Sequence, residues 1–583
     1  MRRTKMPTRG RTRLSLSLFP VCLAIAILVV PIGFAAGPAP DVLLNTMQNE
    51  LKRAGAALGK SEPPAYYLSY SVADVVSATL AASNGAIYGN TRIEERPADV
   101  IMRVGSEALD NTHGQYRASG VSSGVLPLTD NPDATARILW QLTSNEYERA
   151  SSSFLQVKTN QQVQAAEEDK SPDFSNETPQ HHPGDATKPS LTFDQNAWAA
   201  RLKRLSADFL KYPDVYTSYV TLSIQSKKQY FANTEGTAVV EPSSLARLVI
   251  EAETRADDGM DLFRVETFQE DTADKLPSDA ELQAKIEKMA TDVKALRNAP
   301  TADAYAGPAM LSGRAAAVFF HEVLGHRLEG HRQRGDSEGQ TFTKQINKLV
   351  MPSFITVTDD PTIKQLNGIR LSGTYQFDDE GVPAQRVVAV DNGVLKNFLM
   401  SRMPNQNFSQ SNGHGRSQIG LMPTGRQGNL LVTSTNTVSE AELRKRFIDE
   451  IKKQGKTYGL YFDDIEGGFT LTSRGSPQAF EVLPILVYRV YADGRPDELV
   501  RGVDIVGTPL VALNSILVTG DKEEVFNGIC GAESGQIPVS AAAPAMLFSE
   551  LEVQKAATGA NRPPILAPPE GESFSAISAG GSR

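Results

Sequence analysis

The pattern of hydrophobic and polar positions divides the chain into a leader, a mixed helical and stranded half, and a half that is mostly β. An apolar run from Leu14 to Phe34 follows six basic residues, and small residues stand at 35–37. This order is typical of a secretory signal peptide over residues 1–36. An uncleaved membrane anchor is the alternative, because about 20 apolar residues can span a bilayer.

Residues 41–300 alternate between helical and stranded patterns. Apolar residues at helical spacing predict four helices, 41–58, 131–157, 193–210 and 278–295, and Asp41 and Asn131 are the expected caps of the first two. Alternating apolar and polar residues predict strands among them, and Asn84-Gly85 predicts a hairpin turn. Residues 167–189 are polar, acidic and rich in proline, which predicts a disordered, exposed insert.

Residues 305–555 are dominated by strand patterns. Only two helices are expected there, one starting after Ser312 and one over 439–454. We therefore predict an α+β fold with an N-terminal α/β domain, 41–300, and a β-rich C-terminal domain, 305–555, that holds one catalytic helix. Residues 556–583 are rich in Pro, Gly and Ser and are predicted to form a flexible tail.

The net charge of the chain restricts the classes of partner that it is expected to bind. The formal net charge is −9, and the leader holds six basic residues and no acidic one, so the remaining chain carries −15. This balance argues against a nucleic-acid partner or an anionic membrane surface, both of which require a basic face. We expect a periplasmic or secreted protein with no membrane contact beyond the leader.

The helix after Ser312 carries the candidate chemistry, in the sequence His321-Glu322-Val323-Leu324-Gly325-His326. Two histidines five residues apart point about 140° apart around an ideal helix. Both rings can reach one metal only if the helix ends or distorts between them, and Gly325 is the expected place. Taken alone the spacing is a weak signal, since lone imidazoles are often ordinary core or surface groups.

Cys530 strengthens the metal hypothesis. It is the only cysteine outside the leader, which holds Cys22, so an exported Cys530 has no disulfide partner within the chain. Two imidazoles, a thiolate and an open fourth position would form a catalytic zinc site. Glu322 stands where a metalloprotease places its general base, although an ordinary solvated carboxylate is the alternative. Cys530 itself, in a glycine-flanked turn after a strand, has the alternative of a small buried hydrophobe.

Four further residues are candidates for supporting roles. His331 is expected in the outer shell or at the surface, and with Glu329 it would replace Cys530 as a ligand if Cys530 lay elsewhere. His414 and Arg416, both beside glycines, either line a substrate channel, where Arg416 would grip a peptide carboxylate, or belong to an ordinary turn with Arg416 exposed.

These residues together resemble a known family. Residues 321–330 are similar to the signature helix of the TldD/PmbA metalloproteases, and the similarity continues through 411–416, 501–503 and Cys530-Gly531. The resemblance implies a mixed α/β N-terminal domain and a C-terminal domain of antiparallel β-sheets that carries the motif helix. It also implies homodimers, or heterodimers with a related subunit, that digest unfolded peptides admitted through a narrow channel.

The resemblance further implies that zinc is bound by His321, His326 and Cys530, with Glu322 as the catalytic base. The leading hypothesis is thus an exported zinc metallopeptidase that hydrolyses unfolded peptides or small proteins by metal-activated water. One alternative is a non-catalytic scaffold subunit of such a dimer, and the intact motif weighs against it. Another is a hydrolase with Cys530 as nucleophile.

Overall fold

The structure, a computed structural model, describes residues 41–114, 120–161, 169–184, 187–334, 341–473, 479–556, 562–564 and 566. The predicted signal peptide, 1–36, and most of the predicted tail, 556–583, lie outside these residues. The described part belongs to one compact unit that begins at residue 40. The predicted domain boundaries at 41–300 and 305–555 stay predictions.

Helices form where the sequence supplies caps. Asp41 accepts backbone hydrogen bonds from Leu43 and Leu44, and Ser278 with Glu281 forms a capping box. The α-helices are α1 Val42–Leu58, α2 Pro132–Gln161, α3 Gln195–Ala207, α4 Asp279–Asn298, α5 Gly313–Val323, α6 Glu440–Lys453 and α7 Pro509–Asn514. All six predicted helices are confirmed within a few residues, and the short α7 was not predicted.

The first half contains a nine-stranded sheet. Its strands are β1 Ala65–Ser83, β2 Ala86–Glu95, β3 Pro97–Ser106, β4 Leu109–Asp110, β5 Ser122–Val125, β6 His181–His182, β7 Thr217–Asn233, β8 Ala238–Arg255 and β9 Asp261–Glu270. The main order is β4-β3-β1-β7-β8-β6, with β2 also on β1, β5 on β3 and β9 on β8. The predicted hairpin turn is confirmed between β1 and β2, where Asn84 and Gly85 both have positive φ.

The two faces of this sheet differ. One face is apolar and is covered by α1 and α2 at one end and by α3 and α4 at the other. The opposite face presents polar side chains such as Ser71 and Gln229. Together with loops of the second half, it encloses a cavity of about 420 Å³. The alternation follows from the period of two along a strand.

The second half is built on a twelve-stranded sheet and two small two-stranded sheets. Its strands are β10 Tyr305–Leu311, β11 Ile355–Asp359, β12 Gln365–Leu366, β13 Ile369–Arg370, β14 Val387–Asp391, β15 Val394–Leu395, β16 Gly415–Arg416, β17 Thr424–Gly425, β18 Asn429–Ser434, β19 Thr437–Val438, β20 Tyr458–Thr470, β21 Phe480–Tyr491, β22 Glu498–Val500, β23 Val503–Gly507, β24 Ile516–Ala532 and β25 Gly535–Lys555. The large sheet runs β10-β20-β21-β23-β25-β18-β11-β14-β15, and β25 also pairs with β10. The pairings among β10, β20, β21, β23 and β25 therefore close into a ring.

The α+β fold class is confirmed, with one correction to the expected antiparallel sheets. Three pairs of the large sheet are parallel, namely β10–β20, β18–β25 and β19–β24. The helix α5 packs against this sheet through a buried aromatic cluster, in which Phe319 lies 5.6 Å from Phe480 and 5.2 Å from Phe548 between ring centroids. No helix among the described residues has the length and apolar character needed to cross a membrane.

The predicted disordered insert, 167–189, needs correction for residues 169–184. Asp173 is buried and forms an ion pair of 2.7 Å with Arg334, and Phe174 packs under the guanidinium of Arg402 at 3.9 Å. Residues 181–182 form β6, which pairs with β8, while both histidine side chains stay exposed. This segment is ordered because a few anchoring side chains are buried, which its polar composition concealed.

Candidate metal centre

The end of α5 explains how two histidines five residues apart can direct their rings toward one point. Ser312 caps the helix by accepting a hydrogen bond from the backbone of Ala315 at 3.1 Å. The α-helix ends at Val323, and a 3₁₀ helix follows over Gly325–Leu328. The change of helix type turns the chain between His321 and His326, as the sequence predicted.

Gly325 is required at this position by a close approach. A Cβ on residue 325 would lie 2.0 Å from Oε1 of Gln427, which is far inside contact distance. Gln427 is fully buried, and its Nε2 lies 3.4 Å from the backbone oxygen of His321. The missing side chain of Gly325 thus lets a buried amide pack against the helix end.

The structure brings His321, His326 and Cys530 together. Nε2 of His321 lies 3.3 Å from the Cys530 sulfur, and Nε2 of His326 lies 3.4 Å from it. The three donor atoms all lie within 4.8 Å of one another, although 209 residues separate His321 from Cys530. The side chains are buried, with 6–7% of each residue exposed.

The location of Cys530 corrects the sequence analysis. Cys530 does not lie in a turn but inside β24, where it pairs with Ile537 of β25. The tight turn of this hairpin comes later, at 533–534. Burial alone would raise the pKa of the Cys530 thiol, but His326 and His321 lower it well below its ordinary value. The site therefore favours a thiolate.

Two glutamates flank His326 in different ways. Oε1 of Glu329 lies 3.1 Å from Nδ1 of His326, so the ring directs its other nitrogen toward the sulfur. Burial alone would raise the pKa of Glu329, but His326 and Arg332 lower it to about 2. Oε2 of Glu322 lies 3.9 Å from Nε2 of His326, and burial raises the pKa of Glu322. Glu329 orients an imidazole, whereas Glu322 stands beside the donor atoms without a close hydrogen bond to them.

A cleft of about 360 Å³ opens onto these residues. Its walls come from β20 on one side and from the β24–β25 hairpin on the other, and they include Phe469 and Ile529. Gly468 of β20 lies against Glu322, because a Cβ at 468 would lie 2.9 Å from its Cγ. The cleft therefore gives solvent and a ligand access to Glu322 and the three donor atoms.

The residues fit a zinc ion. Two donors of a tetrahedral zinc site, at about 2.0–2.3 Å from the ion, are about 3.5 Å apart, which is close to the observed 3.3 Å and 3.4 Å. Imidazole and thiolate are ligands that zinc prefers, and an imidazole whose second nitrogen faces a carboxylate is the usual arrangement at such sites. His321, His326 and Cys530 would hold the ion, and the cleft leaves room for a fourth ligand.

Comparison with known proteins shows a family match for the second half of the chain. Residues 305–555 match the family described as PmbA/TldA metallopeptidase C-terminal domain. A metalloprotease TldD homolog of Buchnera aphidicola is 28% identical over 265 residues, which cover 44% of this chain and 50% of that protein. A metalloprotease of Archaeoglobus fulgidus is 32% identical over 233 residues, which cover 40% of this chain and 49% of that protein. Residues 305–555 are therefore a C-terminal domain of the TldD/PmbA type. The matches span about half the length of these curated relatives.

Solved structures extend the similarity across both halves of the chain. TldE of Thermococcus kodakarensis superposes with a TM-score of 0.54 at 13% identity, covering 87% of this chain and 100% of that one. A protein of Thermotoga maritima, titled as a proposed modulator of a DNA gyrase, gives 0.56 at 16% identity over 87% of this chain and 99% of that one. At these identities the likeness shows the fold alone.

His414 and Arg416 do not reach this cleft. His414 is fully buried, and its Nε2 lies 3.2 Å from Asp359, so its predicted role in substrate binding is not supported. Arg416 is also buried, in contrast to the exposed alternative. Its Nη1 donates to the backbone oxygens of Gln427 and Pro538, and its side chain lines the cavity between the two halves. Its predicted contact with a peptide carboxylate stays a prediction.

His331 and Glu329, the alternatives to Cys530 as third ligand, have other partners. His331 contacts Glu533, and Glu329 binds His326 and Arg332, so neither substitutes for Cys530. With Glu533 they form a second group of possible metal ligands, next to the first.

Sequence reasoning missed three contributors to the site: Arg426, Gln427 and Gly468. A signal was present for the first two, since Gly425 and Gly428 flank them. Nothing in the sequence, however, linked that segment to the motif helix 100 residues earlier.

Proposed function

We propose that this chain is a zinc metallopeptidase of the TldD/PmbA family. The observation that carries the proposal is the convergence of His321, His326 and Cys530 at the end of α5, with Glu322 beside them in an open cleft. The names of the relatives support it, since one from Saccharolobus solfataricus, 24% identical over 251 residues, is called a zinc metalloprotease TldD homolog.

The proposed roles follow from position. Bound zinc supplies a Lewis acid toward a carbonyl oxygen and toward water. Glu322 takes a proton from the attacking water at Oε2 and passes it to the nitrogen of the leaving amine, so the peptide bond is cleaved by addition of one water molecule. Glu329 holds His326 by its Nδ1 and takes no part in proton transfer. The walls of β20 and of the β24–β25 hairpin position the peptide.

The proposed substrates are unfolded peptides. A cleft of about 360 Å³ is comparable to a small-ligand site and does not admit a folded domain. An extended segment of a few residues fits such a space, and its backbone can approach the wall of the cleft at Gly467 and Gly468 of β20, which carry no side chain.

The test of Glu322 separates binding from chemistry. Glu322→Gln should leave bound zinc near wild-type content and lower the rate of peptide hydrolysis at least 100-fold, as expected for loss of a general base. Glu50→Gln is the matched control, because Glu50 is an equally buried glutamate of α1 far from the site. Retained hydrolysis in pure Glu322→Gln protein would contradict the assignment. Absence of both zinc and hydrolysis in the wild type, alone or mixed with a related subunit, would favour the scaffold hypothesis.

A cysteine nucleophile is a second candidate, because Cys530 lies within 3.4 Å of two imidazoles. The two functions differ in their sensitivity to chelators and to alkylating reagents. A zinc enzyme loses activity to chelators and regains it with added Zn²⁺, whereas a cysteine hydrolase resists chelators and is inactivated by alkylation. The zinc function is preferred because it alone gives Glu322 a role.

Export and assembly are further parts of the proposal. The leader over residues 1–36 supports action in the periplasm or outside the cell, and cell fractionation with N-terminal sequencing of the mature chain tests this. A dimer, with a second copy or with a related subunit, is proposed from the family resemblance. Measurement of the mass in solution, alone and with candidate subunits, tests it.

A further inference from the structure

Arg426 is buried next to the candidate metal centre and has no part in the proposed reaction. It follows β17 and has no measurable exposure. Its Nη2 donates to the Cys530 backbone oxygen at 2.9 Å and to the Cys530 sulfur at 3.2 Å. Arg426 therefore contacts one candidate ligand through both backbone and side chain.

The same guanidinium reaches two other structures. Nη1 donates to Oγ of Ser534 at 2.8 Å and to the backbone oxygen of Gly535 at 3.1 Å, both at the β24–β25 turn. Nε lies 3.3 Å from Oε1 of Glu329. That same carboxylate oxygen faces Nδ1 of His326. One planar group thus connects the hairpin that carries Cys530 to the carboxylate that orients His326.

Charge explains why an arginine can be buried here. Glu329 faces two guanidinium groups, those of Arg332 and Arg426, as well as His326. The Cys530 sulfur and the Ser534 hydroxyl accept further hydrogen bonds from Arg426. A lysine would keep the positive charge but would lack the fork that reaches three separate partners.

We infer that Arg426 is a positioning residue of the metal centre, which fixes the Cys530 sulfur relative to His326 before the metal binds. This inference rests on the proposed function, because it concerns the same three ligands. It predicts that replacing Arg426 lowers the affinity for metal even in a variant whose fold is unchanged. Outer-shell partners of metal ligands commonly contribute about 10–100-fold to affinity.

The test measures Co²⁺, which replaces zinc and reports thiolate ligation by its charge-transfer absorption. Arg426→Gln should weaken Co²⁺ binding about 10–100-fold in competition with a chelator, and should reduce the thiolate-to-cobalt band at saturating metal. Arg426→Lys should recover part of the affinity. Arg402→Gln is the matched control, because Arg402 is equally buried and ion-paired but binds Glu235, and its Co²⁺ affinity and spectrum should match the wild type.

The outcomes separate this inference from the proposed function. If the wild type binds neither Co²⁺ nor Zn²⁺, both are wrong. If the wild type binds Co²⁺ and Arg426→Gln binds it equally, or Arg402→Gln loses as much, only the positioning role is wrong. Should Arg426→Gln not fold, Ser534→Ala removes one anchor of the guanidinium and should lower affinity in the same direction. Wild-type affinity in Ser534→Ala and Arg426→Lys together would overturn the inference.

Discussion

Gly325→Ala tests the packing that allows one helix to present both histidines. The added Cβ would lie 2.0 Å from Oε1, 2.3 Å from Cδ and 2.6 Å from Nε2 of Gln427. Gln427 has 1% exposure and its own contacts, since its backbone oxygen accepts a hydrogen bond from Arg416 at 3.1 Å. Either the Gln427 amide or the helix end must therefore shift.

Two opposing effects set the magnitude. Overpacking of a tight interior costs about 1–3 kcal/mol. Replacing glycine by alanine reduces the entropy of the unfolded chain and stabilises by about 0.4–1 kcal/mol where the backbone tolerates it. Gly325 lies outside the left-handed region, so this second effect applies here. We expect a net loss of about 1–2 kcal/mol in the free energy of unfolding, and weaker metal binding because His321 and His326 move apart.

A double-mutant cycle checks the cause. Gln427→Ala makes room for the Cβ, so adding Gly325→Ala in that background should cost less than about 0.5 kcal/mol in urea denaturation. Gly467→Ala is the control, because a Cβ at 467 meets nothing within 4 Å, and its stability should be near that of the wild type. The same destabilisation by Gly325→Ala in both backgrounds would refute the argument that Gln427 makes the glycine necessary.

Further predictions concern the cleft, the thiol and a remote carboxyl group. Gly468→Ala would place a Cβ 2.6 Å from a backbone oxygen and 2.9 Å from Glu322, so peptide hydrolysis should fall while zinc content persists; unchanged turnover would contradict it. Cys530→Ser should lose zinc by elemental analysis but keep its far-ultraviolet circular dichroism, and in metal-free wild type added zinc should protect the thiol from alkylation. Burial raises the pKa of Glu146 from 4.5 to about 7, so between those pH values the folded chain keeps a proton that the unfolded chain loses, and stability falls as the pH rises. The free energy of unfolding of Glu146→Gln, relative to that of the wild type, should therefore rise by up to about 3 kcal/mol over that range. An equal difference between the two proteins at pH 5 and at pH 8 would refute this.

Features set by neighbouring residues were predictable from the sequence. The caps at Asp41 and Ser312, the turn at Asn84-Gly85 and the end of the motif helix near Gly325 were all predicted and all observed. Each depends on interactions within one turn or one hairpin, where residue type alone selects the backbone conformation. The same local logic gave the spacing argument for His321 and His326.

Features set by distant residues were not predictable. The ring of five strands depends on β25 pairing with both β10 and β23, and no property of the single strands specifies those partners. The burial of Asp173 depends on Arg334, which lies far along the chain. The contacts of Arg426 have the same origin, since its partners belong to three other segments. The pattern of apolar and polar residues in a single sequence shows which face of a strand is apolar. It does not show which element covers that face.

The candidate metal centre depends on a local feature, the end of α5, and on a long-range one, the pairing of β24 with β25. His321 and His326 are positioned by a local helix end, but Cys530 is positioned by the register of β24 on β25, in which it pairs with Ile537. A slip of one residue in a β pairing turns every side chain to the opposite face, which would direct the sulfur away from both imidazoles. Arg426 contacts Cys530 and the turn of the same hairpin, so its hydrogen bonds oppose that slip. The positions of the three candidate ligands relative to one another therefore depend on a strand register some 200 residues away from the motif helix.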